Sequence, residues 1–265
     1  MRPRAAVFYF HDVVAPERLA EVPPTHRPYV LTPEELRIYL LAAAESPRRA
    51  IHATRVPAEL GGGFYCLTFD DGMASDYTVA FPVLRELGLR ATFFVVPTLV
   101  DTPGYVSWDQ LREMVAAGME VGSHSLTHPF VDGLDRPALE REFGESKRII
   151  EDRLGAPVHA ASLPRGWGAR DLEEVLAGLG YRVFCTSRVG WWHPGDAPLA
   201  MPRIGVRRGM EVDEFVTILN ACRRALWRLQ SVEVAKDLAK GTLGRRVWAA
   251  LRAPLLRLRY APRET

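Results

Sequence analysis

The 265-residue sequence has only three cysteines, Cys66, Cys185 and Cys222, an odd number set far apart. A disulfide framework is therefore excluded, and the cysteines read as buried thiols from a reducing compartment, two of them inside apolar strand-like runs. No stretch reaches the ~18–20 uninterrupted apolar residues of a membrane span. The short apolar run in "MRPRAAVFYFHDVV" breaks at His11 and Asp12 with no small-residue cleavage site after it, so it reads as a first strand and not as an export signal. These absences set the expectation of a cytoplasmic protein, at most peripheral at the inner membrane surface. There is no internal repeat or low-complexity segment to help choose a fold.

Charge of one sign is also scarce overall, since the net charge is only +2. That small number conceals two different segments. Residues 221–265 carry 11 Lys/Arg against 3 Asp/Glu, a balance of +8, which leaves −6 on residues 1–220. We therefore expect a catalytic-size domain over 1–220 and a basic tail over 221–265. The tail interleaves Val247, Trp248, Leu251, Leu255 and Leu256 with Arg245, Arg246, Arg252, Arg257 and Arg259, and Pro254 interrupts it. This composition suits an amphipathic helix on an anionic membrane surface, and equally a segment docked on the acidic body or on a partner subunit. Nucleic acid is not expected as a partner, because the basic stretch is attached to an enzyme-like domain.

A hydrophobic content of 48% is ample for one core. Apolar, β-branched or aromatic runs fall at 5–10, 63–69, 90–96, 119–123, 158–163 and 181–186, with a weaker one at 202–206. Helix-like segments lie between them. Thr32, Pro33 and Glu35 open one with a capping box, and Ser107 with Gln110 repeats the pattern. Further helices fit "DYTVAFPVLRELG", with Pro82 as a kink, and the segments starting near Asp135, Ala169 and Glu211. Strand and helix alternate about seven times, which predicts parallel strands covered by helices, and a barrel of β/α units more than an open sheet.

In such barrels the working groups sit on the loops after the strands. Here those loops carry His11 and Asp12, then Asp70, Asp71 and Gly72, then His124 and His128, then Pro164, Arg165 and Gly166. His124 and His128 are four residues apart, a spacing at which two imidazoles meet on a helical turn or a tight loop and can hold one metal ion. A carboxylate from another strand end would complete a two-histidine, one-aspartate centre with open positions. Asp70 and Asp71 are adjacent at a strand end, so their side chains diverge and cannot share one task.

"LTFDDG" followed by "VSWDQLREMVAAGMEVGSHSLTHP" resembles the polysaccharide deacetylases of carbohydrate esterase family four, the NodB homology domain, over residues 5–220. The resemblance implies an irregular seven-stranded β/α barrel, similar to a TIM barrel. It also implies a metal-dependent hydrolase that removes an N-acetyl group from an amino sugar of a glycan or glycoconjugate. On it, Asp70 is the catalytic base, and Asp71, His124 and His128 hold the metal, zinc first, with cobalt or nickel as alternatives. "SLPRGWG" matches the family's third motif through Pro164 and Gly166, making the Arg165 backbone amide the oxyanion donor. Ser162 stands where many members have an arginine that orients the base, a task left to Arg165, Arg203 or another side chain. The opening "AAVFYFHDVV" resembles the branch of bacterial poly-N-acetylglucosamine deacetylases, in which a first-strand histidine is the general acid. That implies His11, ahead of His193. Trp167, Trp191 and Trp192, expected at the same barrel end, stack on sugar rings or cover the barrel mouth. Two other readings stay open: another C–N hydrolase on this scaffold, such as a deformylase or a cyclic imide or allantoin-type amidohydrolase, and a non-catalytic glycan-binding protein.

Overall fold

The computed structural model describes residues 3–59, 61, 63–166 and 168–221; Trp167, Cys222 and the rest of the basic tail lie outside the described residues. Eight strands form one sheet: β1 (Val7–Phe10), β2 (Arg49–Ile51), β3 (Phe64–Phe69), β4 (Thr92–Val95), β5 (Glu120–Ser123), β6 (Ala160–Ser162), β7 (Val183–Cys185) and β8 (Ile204–Gly205). Every pairing is parallel, in the order β7-β6-β5-β4-β3-β1-β8. β2 takes the first half of the β3 edge that β4 takes further along. The two outer strands are drawn together by a bridge between Cys185 and Met201, and Arg203 N–H donates to the Arg188 carbonyl at 2.9 Å. The sheet thus curls into a barrel with a thin seam, an α/β fold of the expected kind. All seven anticipated strands are present. The eighth, β2, is a three-residue "RAI" that runs from exposed to buried, too short to give a periodic signal.

Six helices cover the outside: α1 (Pro33–Ala44), α2 (Phe81–Glu86), α3 (Trp108–Ala116), α4 (Arg136–Leu154), α5 (Leu172–Gly178) and α6 (Val212–Leu219). Thr32 and Ser107 cap α1 and α3 with the reciprocal bonds of capping boxes, each satisfying otherwise orphaned N–H groups. Pro82 lies inside an unbroken helical run, 74–86, directly after a π-helical turn at Asp76–Ala80, an irregularity in the hydrogen-bond ladder beside the residue that lacks an N–H.

Alternation along the strands divides the core in two. Phe8 and Phe10 of β1 with Tyr65, Leu67 and Phe69 of β3 pack outward under the helices. Val7, Phe64 and Cys66 face the barrel interior with Phe94, Val183, Cys185 and Met201. Cys66 and Cys185 are buried free thiols, as anticipated. Trp192 closes the floor of this interior. It is 1% exposed, and its backbone pairs in both directions with Ala5, just before β1.

Candidate active site

The site is built at the opposite end of β1 from that floor. Asp70 follows β3 directly, and its N–H still donates to the Phe10 carbonyl at 3.0 Å, so its side chain keeps the alternation and points into the barrel. At Asp71 the alternation stops. Asp71 has φ 82° and Gly72 φ 72°, two successive left-handed residues that turn the chain sharply, and a Cβ on Gly72 would meet Val95 at 3.1 Å. The divergence of the two carboxylates therefore comes from a turn and not from strand alternation alone.

His124 continues β5, its N–H donating to the Val95 carbonyl at 2.8 Å. A tight loop returns the chain to His128: Ser125 has φ 65° and His128 φ 59°, and the Ser125 hydroxyl accepts from His128 N–H at 3.0 Å. From α4, the buried Glu142 accepts from Leu126 N–H and Thr127 N–H, each at 3.0 Å, anchoring the same loop. The two imidazoles consequently lie with ring centroids 5.0 Å apart.

Asp71 Oδ1 is 3.3 Å from Nε2 of His124 and 3.3 Å from Nε2 of His128. One donor atom from each of the three residues lies within 4.8 Å of the others. Burial alone would raise the Asp71 carboxyl, but hydrogen bonds to the two histidines outweigh it and hold it well below the usual carboxylate range. Two imidazole nitrogens and a carboxylate oxygen, already convergent, are a donor set that fits a divalent transition-metal ion.

Asp70 lies apart from that corner. It is 2% exposed and faces Arg203, which is fully buried. Arg203 Nη1 and Nη2 donate to Oδ1 and Oδ2 of Asp70, each at 2.8 Å, a two-pronged clamp. Arg203 is itself fixed by Nε donating to the Thr186 carbonyl at 3.0 Å, by Nη1 donating to the Thr68 hydroxyl, and by the Tyr9 ring 4.6 Å away. Burial pushes the Asp70 carboxyl up, and the Arg203 charge more than reverses this, leaving it below its ordinary value. Of the two arginines named for a contact with this carboxylate, Arg203 makes it, while Arg165 is turned to the His128 carbonyl. Ser162, also buried, touches both halves of the site: its Oγ is 2.5 Å from His124 Nδ1 and 3.3 Å from Asp70 Oδ1.

His11 directly follows β1 at the same barrel end, its ring between Tyr9 (5.4 Å) and Tyr29 (5.0 Å). Its Nδ1 is buried and meets no hydrogen-bond partner among the described residues. Burial holds the imidazole below its ordinary value against the opposing pull of Asp71 and Asp70. The turn Pro164–Gly166 follows β6, with φ 57° at Arg165 and 73° at Gly166. Arg165 Nε donates to the His128 carbonyl at 3.0 Å, and its guanidinium lies 4.6 Å from the ring of Phe130, which pins this turn beside the histidine pair.

Three anticipated residues are not brought to the site. Trp191 and Trp192 lie by the start of β1, where Trp192 pairs with Ala5 and Arg4 covers Trp191 at 5.6 Å. The six residue steps from Ala5 to His11 separate them from the site by about 20 Å of extended chain. They are 9% and 1% exposed, so they offer no face to a sugar. His193 follows Trp192 at that end and is engaged by Asp196. These loops come after β7 in sequence, but the chain runs back along the barrel before β8, which the sequence pattern did not reveal. Phe130, 39% exposed at the rim, was missed; its only signal is its place two residues after His128.

The fold and site together define a parallel β/α-barrel protein with a candidate two-histidine, one-aspartate metal centre and a separate clamped carboxylate. The chain belongs to the polysaccharide deacetylase family. The family model "Polysaccharide deacetylase" matches residues 59–184, and the chitooligosaccharide deacetylase of Rhizobium leguminosarum bv. trifolii is 32% identical over 173 residues, 60% of this chain and 77% of that protein. The chain spans about half, 53%, of the length of another relative, YxkH of Bacillus subtilis (strain 168), at 26% identity over 56% of this chain. Among solved structures, the Streptococcus pyogenes deacetylase PplD in complex with acetate shares the fold, with TM-score 0.75 and 21% identity over 83% of this chain and 99% of that one. IcaB from Ammonifex degensii is similar with TM-score 0.70 and 25% identity, over 82% of this chain and 96% of that one. The matched stretch 59–184 includes Asp70, Asp71, His124 and His128 but neither His11 nor Arg203. Among the described residues no helix is long and apolar enough to cross a membrane.

Proposed function

We propose that this protein is a metal-dependent hydrolase that removes the N-acetyl group of an amino sugar in a glycan or glycoconjugate. The observation that carries the reading is the division of the adjacent carboxylates: Asp71 converges with two imidazole nitrogens, while Asp70 is held away from them by Arg203. Asp71, His124 and His128 would hold the ion, with zinc suited best to this donor set and cobalt or nickel also accommodated. When bound, such an ion supplies a Lewis acid for the amide carbonyl and lowers the pKa of a coordinated water.

The other residues do the proton work. Asp70, kept ionised by the Arg203 clamp, is the base that takes a proton from the attacking water. The Arg165 backbone N–H, presented by the left-handed turn between Pro164 and Gly166, donates to the carbonyl oxygen as it gains negative charge. His11 gives the departing amine a proton; burial holds its imidazole below the ordinary value, and the balance closes with the proton that Asp70 has taken from the attacking water, passed on within the site. Phe130 at the rim meets the sugar, the role its exposure permits and that of Trp191 and Trp192 does not. The basic segment 221–265 is read, from its charge pattern alone, as the part that holds the enzyme against an anionic surface.

Acetate release from a panel of N-acetylated amino sugars, with formylated sugars and cyclic imides alongside, tests the reading. Asp71→Asn should mainly deplete metal, while Asp70→Asn should retain metal and abolish release. Turnover of imides alone, or purified protein that takes up no divalent ion on reconstitution, would overturn it.

A further inference from the structure

The Ser162 hydroxyl touches both the histidine pair and the clamped carboxylate. A hydroxyl has one proton to donate and lone pairs to accept. Its neighbours are Asp70 Oδ1 at 3.3 Å and His124 Nδ1 at 2.5 Å. Arg203 donates to both oxygens of Asp70, so Asp70 is the ionised, acceptor-only end of the chain of bonds. Ser162 O–H must therefore donate to Asp70, because the opposite orientation would set two buried oxygens against each other with no proton between them. Its oxygen is then left to accept, and the proton it accepts is the one on His124 Nδ1. The polarity of the relay runs from His124 through Ser162 to Asp70 and is set at its far end by Arg203.

We propose that Ser162 is a positioning residue that holds His124 with its proton on Nδ1, leaving the Nε2 lone pair aimed at the corner shared with Asp71 and His128. Position 162 is free for this duty because the base is clamped from the other side of the barrel by Arg203. Two features make the hold firm. Ser162 lies on β6 and is fully buried, and its contact to Nδ1 is short. Groups that hold the second ring nitrogen of a metal-binding histidine are worth about 10–100-fold in metal affinity.

This inference rests on the metal site proposed above, and its test separates the two. Zinc dissociation constants are measured by chelator competition for the full-length wild type, Ser162→Ala and Ser162→Thr, with metal-free melting temperatures alongside. Proton and nitrogen NMR of the zinc-loaded wild type and Ser162→Ala follow the His124 Nδ1–H resonance. We expect Ser162→Ala to weaken zinc about 10–100-fold with little change in the metal-free melting temperature, and Ser162→Thr to recover most of the loss. In wild type the Nδ1–H signal should be shifted downfield and slow to exchange with solvent, and in Ser162→Ala it should move upfield and exchange fast. Zinc affinity in Ser162→Ala within twofold of wild type, or an unchanged Nδ1–H resonance, would overturn the positioning role while leaving the hydrolase reading intact. A wild type that binds no zinc would overturn the hydrolase reading itself, before any variant is compared.

Discussion

Removing Arg203 tests whether the clamp on Asp70 is what makes a buried carboxylate tenable. In Arg203→Met the side chain keeps its bulk but leaves Asp70 charged, 2% exposed and without its two 2.8 Å donors. Unit charges about 4 Å apart at an effective dielectric of about 20 attract by about 4 kcal/mol. Breaking a buried pair by deleting one partner costs about 3–5 kcal/mol, so the two estimates agree. In a chain of this size the melting temperature should fall by roughly 6–20 °C. The sign with pH follows from the direction of the shifts. Wild-type Asp70 is held below its ordinary value, so its contribution to stability is full above the unfolded pKa of about 3.9 and is lost only as pH falls through the lower folded value. Without Arg203, burial dominates and the folded value rises above the unfolded one, so stability is lost as pH rises through it. Urea denaturation of chelator-treated wild type, Arg203→Met, Asp70→Asn and the double variant at pH 4.5 and pH 8 reads this directly. The gap between wild type and Arg203→Met should be widest at pH 8, and Asp70→Asn in the Arg203→Met background should recover at least half of it. A gap under about 1 kcal/mol, well short of the buried-pair cost, would refute the reasoning. So would a gap equal at both pH values, or no recovery in the double variant.

Further outcomes are expected elsewhere in the molecule. Trp192→Ala should cost about 3–5 kcal/mol of stability by emptying the barrel floor, yet leave the KM for glycan unchanged at temperatures where the variant is folded; a raised KM would return Trp192 to the substrate. Gly122→Ala should destabilise by about 1–3 kcal/mol, measured by thermal melting, because its Cβ would meet the Phe94 ring at 2.6 Å and the Ala160 carbonyl oxygen at 2.8 Å. His11 is held below its ordinary value by burial, so its stability contribution is full above the unfolded pKa of about 6.5 and drains away as pH falls toward the folded value. Metal-free wild type should therefore lose stability between pH 7 and pH 5 more steeply than His11→Asn, and parallel curves would count against the burial argument.

Much of the architecture was legible because local signals and tertiary demands coincide. The two capping boxes at Thr32 and Ser107, the near-continuous apolar runs of β1 and β3, and the Asp-Asp-Gly turn are each written within a few neighbouring residues. The pair His124 and His128 was legible for the same reason, since a five-residue loop brings both rings together with Ser125 inside it. Glu142 was not. It anchors that loop from α4, yet on a helix of mixed charge nothing in the sequence separates one glutamate from its neighbours.

The tryptophans were assigned to the wrong end, and the clamp was left open between Arg165, Arg203 and other side chains, for a deeper reason. A strand-by-strand reading assigns each loop to one end of the barrel by counting elements, and it fails where chain runs back along the barrel without forming an element, as it does between β7 and β8. Trp191, Trp192 and His193 are carried to the floor by that return, which only the Ala5 pairing reveals. Arg203, named in the sequence but not singled out, is obscured by the opposite property of the same barrel. Every inward-facing position at one level opens into a shared interior, so Asp70 after β3 can be served by a side chain next to β6 or next to β8 with equal ease, whatever their distance in sequence. Position 162 and position 203 both touch Asp70, one by a hydroxyl and one by a guanidinium. A motif that scores position 162 alone registers the serine as a departure, whereas the interior level as a whole retains the cation and gains a hydroxyl for His124. The unit that the chemistry requires is therefore the filled level of the barrel, and a residue missing from one strand should be sought among the inward positions of the others.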